Sequence, residues 1–262
     1  MTTIKNYQLE KMSAKELTSL WKSIKSVYTR HFDTPIQDDY LNKKCKNAVV
    51  ARLRVIWNGA DAVGIMVLFG YKLKLNGHKS IVYRGSGAID KGYRNKNNLS
   101  NFLFYNVLPQ IIRYRGYAQY IIEGFIHPSS FCISQKAVQK IYPSPNMNTP
   151  SKILNLMETV KEQGLLGGYE FEDEHPFLGT YPCNVVQSSR ENKRWENKVA
   201  IDEYTEFFYQ LGAMKENKAI ICIVPLSVSN FVLSIVKSGK ERLRQLFLKK
   251  NNLVMRRNYN HS

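Results

Sequence analysis

The sequence has few cysteines, and they are far apart. Its 262 residues include four cysteines, none of them in a C-x-x-C pair, namely Cys45, Cys132, Cys183 and Cys222. This spacing excludes the common zinc motifs and a disulfide framework, so we expect no bound metal and a reducing compartment.

The sequence also lacks long hydrophobic runs. The longest candidate, AIICIVPLSVSNFVLSIV, is interrupted by Pro225, Ser227 and Asn230, whereas a membrane-spanning helix needs about 20 apolar residues. The first residues, MTTIKNYQLEKMSAKEL, contain no apolar core of the kind that signal peptides carry. We therefore expect a cytoplasmic protein without a transmembrane segment.

Acidic residues are scarce relative to basic ones. The chain has 21 Asp and Glu against 38 Lys and Arg, which gives a net charge of +17. Such an excess favours polyanionic partners: nucleic acid, an anionic membrane surface, an acidic carrier protein or a phosphorylated cofactor. A generally lysine-rich proteome would produce the same excess. The sixteen Tyr and twelve Phe residues indicate a globular chain.

Two Asn-Gly pairs separate three alternating apolar segments. The pairs are Asn58-Gly59 and Asn76-Gly77, and Asn-Gly suits the tight turns of β-hairpins because both residues accept positive φ. The sequence therefore predicts a three-stranded antiparallel meander over 48–57, 61–75 and 78–89. Before it, Ser13 and Glu16 form a predicted capping box at the start of an amphipathic helix.

The segments after the meander predict a mixed α/β fold. A helix from about Leu99 leads to a strand over 117–126, and such a strand–helix–strand crossover makes its two strands parallel. Later segments predict a short helix ending before Pro143, helices after Thr149 and over 202–213, a strand over 218–224 and a helix over 227–238. We expect an α/β (α+β) protein with a mostly antiparallel central sheet and flanking helices.

A basic, amide-rich turn lies between the third meander strand and the helix that follows. It reads GYRNKNN and leads into a helix N-terminus, where backbone N–H groups and the helix dipole favour anionic oxygens. The element order up to about residue 145, together with GSGAIDKGYRNKNNLSNFLF, resembles the GNAT superfamily of acyl-CoA-dependent acyltransferases. The family signature is Gln or Arg, two residues, Gly, one residue, and Gly or Ala. Here Arg94, Asn97 and Leu99 occupy its three defined positions.

The resemblance implies an acyl-CoA co-substrate. Backbone amides of 94–100 would hold its pyrophosphate, the backbone of 88–90 would pair with its pantetheine arm, and the acyl group would lie where the fourth and fifth family strands separate. The implied donor-site residues are Ala88, Ile89, Asp90, Arg94, Asn95, Lys96, Asn97, Asn98, Leu99 and Ser100. Because two signature glycines are replaced, three alternatives stay open: a modified CoA site, a site for acyl carrier protein or another unusual donor, or a turn that has lost its ligand.

Three residues are candidates for proton transfer to and from an amine acceptor. Glu123 lies within the predicted strand over 117–126, where an apolar setting would raise the pKa of its carboxyl group; an ion pair with a neighbouring arginine is the alternative. Tyr142, predicted late in the next helix, would protonate the leaving thiolate. His127 would bind substrate or act as a base, or else cap a turn before Pro128.

The second half of the chain has no resemblance that we can name. We divide the sequence into a GNAT-like core, 1–145, and a C-terminal elaboration, 146–262, that completes the sheet and the acceptor pocket within one continuous domain. An acidic stretch with Glu172, Glu174 and His175 would suit a cationic small-molecule amine. Eight Lys or Arg residues over 237–257 allow an alternative function, binding or modification of nucleic acid, or contact with an anionic membrane.

Overall fold

The computed structural model describes most of the chain. The described residues are 1–33, 37–75, 77–96, 99–166, 169–172, 175–180, 184–185, 195, 197, 199, 202–213 and 218–240. Within them, the strands are β1 (Thr2–Gln8), β2 (Phe32–Asp33), β3 (Ala48–Asn58), β4 (Asp61–Leu75), β5 (His78–Ile89), β6 (Ala118–Phe125), β7 (Glu170–Phe171), β8 (Leu178–Thr180), β9 (Asn184–Val185) and β10 (Lys218–Pro225).

The helices flank these strands on both faces of the sheet. They are α1 (Ala14–His31), α2 (Tyr40–Cys45), α3 (Leu99–Arg113), α4 (Pro128–Ala137), α5 (Ser151–Glu162), α6 (Glu203–Gln210) and α7, which covers residues 228–240. Short 3₁₀ turns occupy Leu9–Lys11 and Lys91–Lys96. In the described part of the chain, no helix is both long and apolar enough to cross a membrane.

One mixed sheet organises the molecule. Among the described residues it contains eight strands in the order β1-β3-β4-β5-β6-β10-β8-β7, and a separate small sheet joins β2 to β9. Its neighbouring strands are antiparallel except for β5 and β6, which are parallel. The predicted mixed, mostly antiparallel α/β fold is therefore confirmed.

The meander and the first helix form as their local sequence predicts. Gly59 and Gly77 have φ values of +61° and +79°, the positive values that the two hairpin turns require. At the start of α1, the Glu16 amide donates to the Ser13 hydroxyl at 3.3 Å, and the Ser13 amide donates to the Glu16 carboxylate at 2.7 Å. The predicted meander and capping box are confirmed.

Apolar clusters cover the two faces of the sheet. On the first face, α1 buries one side against β3 and β4, and α5 packs against β6 and β10. The inward residues of α1 are Leu17, Trp21, Ile24 and Val27, and those of α5 are Ile153, Leu156, Met157 and Val160. On the second face, α3, α4 and α6 cover sheet side chains such as Met66, Tyr83 and Phe125.

Candidate active site

The parallel strands β5 and β6 separate near the middle of the sheet. They pair only from Ser80–Tyr83 with Ala118–Ile121. Beyond this point, β5 continues along β4 to Ile89, whereas β6 continues along β10 to Phe125. The space between Arg84–Ile89 of β5 and Ile122–Phe125 of β6 is called the strand gap below.

On β5, three residues direct their backbone groups into the strand gap. The Asp90 amide donates to the Val63 carbonyl at 2.9 Å, and the register of β4 with β5 has no irregularity in this region. Because hydrogen bonding alternates along an antiparallel pair, Ala88, Ser86 and Arg84 also face β4. The backbone groups of the residues between them therefore face β6, namely those of Gly85, Gly87 and Ile89.

On β6, the same alternation turns two residues toward the strand gap. The Ile221 amide donates to the Phe177 carbonyl, and the Ile223 amide donates to the Tyr142 carbonyl, both at 2.7 Å and both away from β6. The residue between them, Cys222, faces Glu123 in the register of β10 with β6. The β6 backbone groups that face the gap are therefore those of Ile122 and Gly124.

Glycines on both strands that border the gap make room for side chains from elsewhere in the fold. A Cβ atom at Gly85 would lie 2.7 Å from the Glu123 Oε1 atom and 2.9 Å from Leu103. A Cβ atom at Gly124 would overlap the hydroxyl oxygen of Tyr169. The Glu123 carboxyl group and the Tyr169 hydroxyl group therefore occupy space that only a glycine leaves open.

Glu123 is a half-buried acid whose proton affinity is raised. Its Oε1 atom has no accessible surface and no hydrogen-bond partner among the described residues. Burial raises the pKa of Glu123 to about 7, although the positive charge of Arg84 lowers it. Among the described residues Glu123 forms no ion pair, which favours the predicted apolar setting over the alternative ion pair with an arginine. A carboxyl group with this pKa exchanges its proton near neutral pH.

Arg84 lies on the other face of β5 from Gly85, at the point where the two strands separate. Its Nη1 atom donates to the Leu165 carbonyl at 2.9 Å, and its Nε atom is buried without a hydrogen-bond partner among the described residues. A carboxyl group thus borders the gap on one face of the sheet and a guanidinium group on the other.

The predicted donor-site residues lie at the end of β5 and in the turn that follows. Ala88 is buried and Ile89 ends the strand. The Asp90 carboxylate accepts from Arg30 at 2.8 Å and lies 3.0 Å from His31, which ties the end of β5 to α1. Because the Asp90 amide bonds to Val63, only Ile89 of this trio directs its backbone toward the gap.

The basic turn is described in its backbone only in part. Arg94, Asn95 and Lys96 close the 3₁₀ turn that begins at Lys91, and Leu99 and Ser100 begin α3. Their side chains, and the whole of Asn97 and Asn98, lie outside the described residues. The turn connects the gap-lining strand to a helix N-terminus, which is the arrangement that the sequence predicts. Phosphate binding by this turn stays a prediction.

The other two residues predicted to transfer protons, Tyr142 and His127, both have structural roles in the fold. The prediction that Tyr142 lies in a helix is wrong: α4 ends at Ala137, and Tyr142 forms an antiparallel bridge with Ile223 of β10. Its side chain joins the apolar cluster of α5 on the first face, whereas the Glu123 carboxyl group lies against Leu103 of α3. His127 caps α4, since its Nδ1 atom accepts from the Ser129 amide at 3.1 Å. A catalytic role for either residue stays a prediction.

The acidic stretch that was predicted to suit a cationic amine is only partly described. Glu172 forms an ion pair with Lys218 of β10, whereas His175 is exposed and Glu174 lies outside the described residues. Within the described chain, no group of three or more His, Cys, Asp or Glu side chains is arranged to hold a metal ion.

Four residues at the gap were not predicted from the sequence, namely Arg84, Gly85, Gly124 and Tyr169. One signal could have indicated the gap, because alternating glycines in a strand, as in GSG at 85–87, often mark a close backbone approach or a ligand. Tyr169 had no such signal, since its position over Gly124 depends on a contact between distant parts of the chain.

Comparison with known proteins finds similar solved structures but no matching family. No family model and no curated protein matches the chain. A probable N-acyltransferase of Enterococcus faecalis V583 is 11% identical, with a TM-score of 0.35, over 52% of this chain and 32% of that one. The chain thus spans about a third of that protein.

Two further structures match over the whole length of the other protein. An IAA acetyltransferase of Bacillus cereus is 10% identical, with a TM-score of 0.37, over 86% of this chain and 100% of its own. Glucosamine-6-phosphate N-acetyltransferase of Arabidopsis thaliana is 11% identical, with a TM-score of 0.36, over 56% and 98%. Similarity at this level assigns no activity to the chain.

Proposed function

We propose that the protein transfers an acyl group from an acyl-CoA thioester to an amine. The observation that carries the proposal is the strand gap: two parallel neighbours separate within a continuous sheet, and backbone groups of Gly85, Gly87, Ile89, Ile122 and Gly124 face the space between them. An extended, amide-containing chain such as a pantetheine arm can bond to such an edge as an added strand does. The basic turn then follows directly, where the phosphates of the donor would lie.

Glu123 is the proposed base. In the reaction the amine nitrogen attacks the thioester carbonyl carbon, the C–N bond forms and the C–S bond breaks. The amine must lose a proton, and the Glu123 carboxylate takes it up directly or through one water molecule. The carboxyl group suits this step because it borders the gap and its pKa of about 7 leaves a substantial ionised fraction near neutral pH.

Tyr169 is the proposed proton donor to the departing thiolate. Its hydroxyl oxygen lies against Gly124, one of the two β6 residues whose backbone faces the gap. Tyr142, the donor that the sequence suggests, belongs to the same α5 cluster as Tyr169, but it is buried and is tied by two backbone hydrogen bonds to Ile223, whose backbone faces away from β6. We therefore assign the step to Tyr169 and use Tyr142 as its comparison.

Calorimetric titration with acetyl-CoA and with longer acyl-CoA compounds tests the donor site. Wild type is compared with Arg94→Ala plus Asn97→Asp, which removes one positive charge from the turn and adds a negative one. The control, Arg115→Ala plus Asn155→Asp, makes the same charge change at two exposed positions elsewhere. We expect wild type and the control to bind alike and the turn variant to bind at least tenfold more weakly.

The other outcomes separate the alternatives. If none of the three proteins binds any acyl-CoA, the donor is not acyl-CoA, and the experiment is repeated with an acylated carrier protein. If all three bind equally, the turn does not hold the phosphates and the donor-site assignment is wrong. After binding is established, a screen of amines, with free thiol release as the readout, identifies the acceptor.

A further inference from the structure

Helix α7 packs against the rest of the protein mainly through polar side chains, together with the partly buried Phe231. Asn230, Ser234, Lys237 and Ser238 are spaced at i, i+4, i+7 and i+8, so they lie on one face of the helix. All four face the end of α4 and the segment after it. In most surface helices the inward face is apolar and the polar residues face the solvent.

The inward polar residues make specific hydrogen bonds. The Asn230 side-chain amide donates to the carbonyls of Pro225 at 2.7 Å and Lys140 at 3.1 Å, and its oxygen accepts from the Lys140 amide at 2.9 Å. The Lys237 amine donates to the carbonyls of Gln135 and Val138 at 2.7 and 2.8 Å. The orientation of α7 is thus fixed by bonds that an inverted helix would lose.

The outward side of α7 is apolar. A stripe of valine, leucine and isoleucine follows the opposite face, and 47% to 65% of the surface of each residue is exposed; its members are Val228, Val232, Leu233, Ile235 and Val236. Exposed apolar residues occur singly on most proteins, but a continuous stripe on one helix face marks a surface that binds something. This stripe is called the α7 stripe below.

We propose that the α7 stripe docks onto an anionic membrane surface, with the helix lying parallel to it. A helix with one apolar face and neighbouring basic residues binds in this way, because its apolar side chains enter the lipid and its cations meet the phosphate groups. Lys240 ends the described helix, and the following sequence carries Arg242, Arg244, Lys249, Lys250, Arg256 and Arg257.

Charge distinguishes this partner from the others that an apolar stripe could bind. Two copies of a chain with a net charge of +17 repel each other, which disfavours a dimer through a stripe followed by a basic segment. The phosphates of a nucleic acid would attract the basic residues. They would not provide an apolar surface for the valine and isoleucine side chains of the stripe. An anionic lipid surface satisfies both features together.

Co-sedimentation of the full chain with vesicles tests the proposal. One set of vesicles contains phosphatidylcholine alone and the other contains phosphatidylcholine with phosphatidylserine. Val232→Glu plus Val236→Glu places two charges on the stripe, and Ile4→Glu plus Ile112→Glu makes the same charge change at apolar residues exposed on β1 and α3. Thermal unfolding and light scattering accompany each variant.

We expect wild type and the control to sediment with the anionic vesicles and the stripe variant to bind at least tenfold more weakly, with little change in unfolding temperature for any of them. Absence of wild-type binding to both vesicles would overturn the proposal. Equal binding by both variants would also overturn it, because the basic residues alone would then suffice. A large loss of stability, or a change of oligomeric state, confined to the stripe variant would show that the chain itself or a second copy covers the stripe.

Discussion

At the scale of single residues, the burial of Glu123 links folding to pH. The native carboxyl group gives up its proton near pH 7, and an ordinary glutamate does so near 4.5. Between these values the native state binds more protons than the unfolded chain, so stability falls as pH rises. This difference in pKa corresponds to a stabilisation on the order of 3 kcal/mol, present below pH 4.5 and lost above pH 7.

Replacing Glu123 with glutamine removes this titration. The quantity to compare is the unfolding temperature of Glu123→Gln minus that of wild type. We expect this difference to be several degrees larger at pH 8 than at pH 5, because only wild type loses stability on deprotonation. Thermal unfolding across pH 4 to 9 measures the difference. The matched variant Glu206→Gln changes an exposed glutamate of α6 and should follow the wild-type curve. A pH-independent difference for Glu123→Gln would contradict the raised pKa.

Tyr169 and Tyr142 allow a second residue-scale comparison. Removing the hydroxyl that protonates the thiolate should lower kcat about 10- to 100-fold with little change in donor binding, since proton transfer of this kind contributes about 10²- to 10⁴-fold. We expect this loss in Tyr169→Phe and not in Tyr142→Phe, measured by thiol release under saturating donor. The opposite result would assign the step to Tyr142, as the sequence suggests.

The same scale shows why the site was only partly predictable. Glu123 was predicted as a candidate because a carboxylate within an apolar strand is visible in the sequence. Tyr142 was placed in a helix because the helix after the strand over 117–126 was predicted to end only before Pro143. In the structure Val138 already has extended backbone angles, and Tyr142 pairs with a strand 81 residues later in the chain. No local pattern records such a pairing.

At the scale of elements, local signals determined the meander and the first helix. The alternating segments and the Asn-Gly pairs fix the register of β3, β4 and β5 because each turn joins strands that are adjacent in the chain. The separation of β5 from β6 depends instead on β10, which pairs with Tyr120–Phe125 of β6 and so continues beyond the point where β5 leaves it. It was anticipated only through the family resemblance, since two strands that part have no signature in either strand alone.

The capping box of α1 gives an element-scale prediction. In Ser13→Ala the Glu16 amide loses its acceptor, so the free energy of unfolding should fall by about 1 kcal/mol. Urea denaturation at neutral pH measures the change. Ser26→Ala, at an exposed position within the same helix, should alter stability by less than about 0.5 kcal/mol. Equal effects of both substitutions would show that the cap contributes nothing specific.

At the scale of the whole molecule, the two halves of the sequence share one sheet and one core. β10 lies between β6 and β8, and the cluster around Ile221 and Ile223 combines Val82 and Tyr120 from the first half with side chains of α5. The boundary at residue 145, proposed from the sequence, thus falls between segments that pack together. It stays a division of the sequence alone.

We therefore expect a single cooperative unfolding transition. Calorimetry should give one peak, and both Leu53→Ala, in the α1 cluster, and Leu156→Ala, in the α5 cluster, should shift that whole peak downward, because each leaves a cavity that costs about 2–5 kcal/mol. Two peaks, each shifted by only one of the substitutions, would mean that the chain contains two independently folding units.

The parting of β5 and β6 also has a mechanical meaning. Four residue pairs form the seam between a half-sheet of β1, β3, β4 and β5 and a half-sheet of β6, β10, β8 and β7. Because the seam is short, we expect the two halves to move relative to each other about Tyr83 and Ile121. A ligand bound in the strand gap would form hydrogen bonds to both halves. Its binding would therefore make the whole sheet more rigid and slow hydrogen exchange at amides far from the ligand.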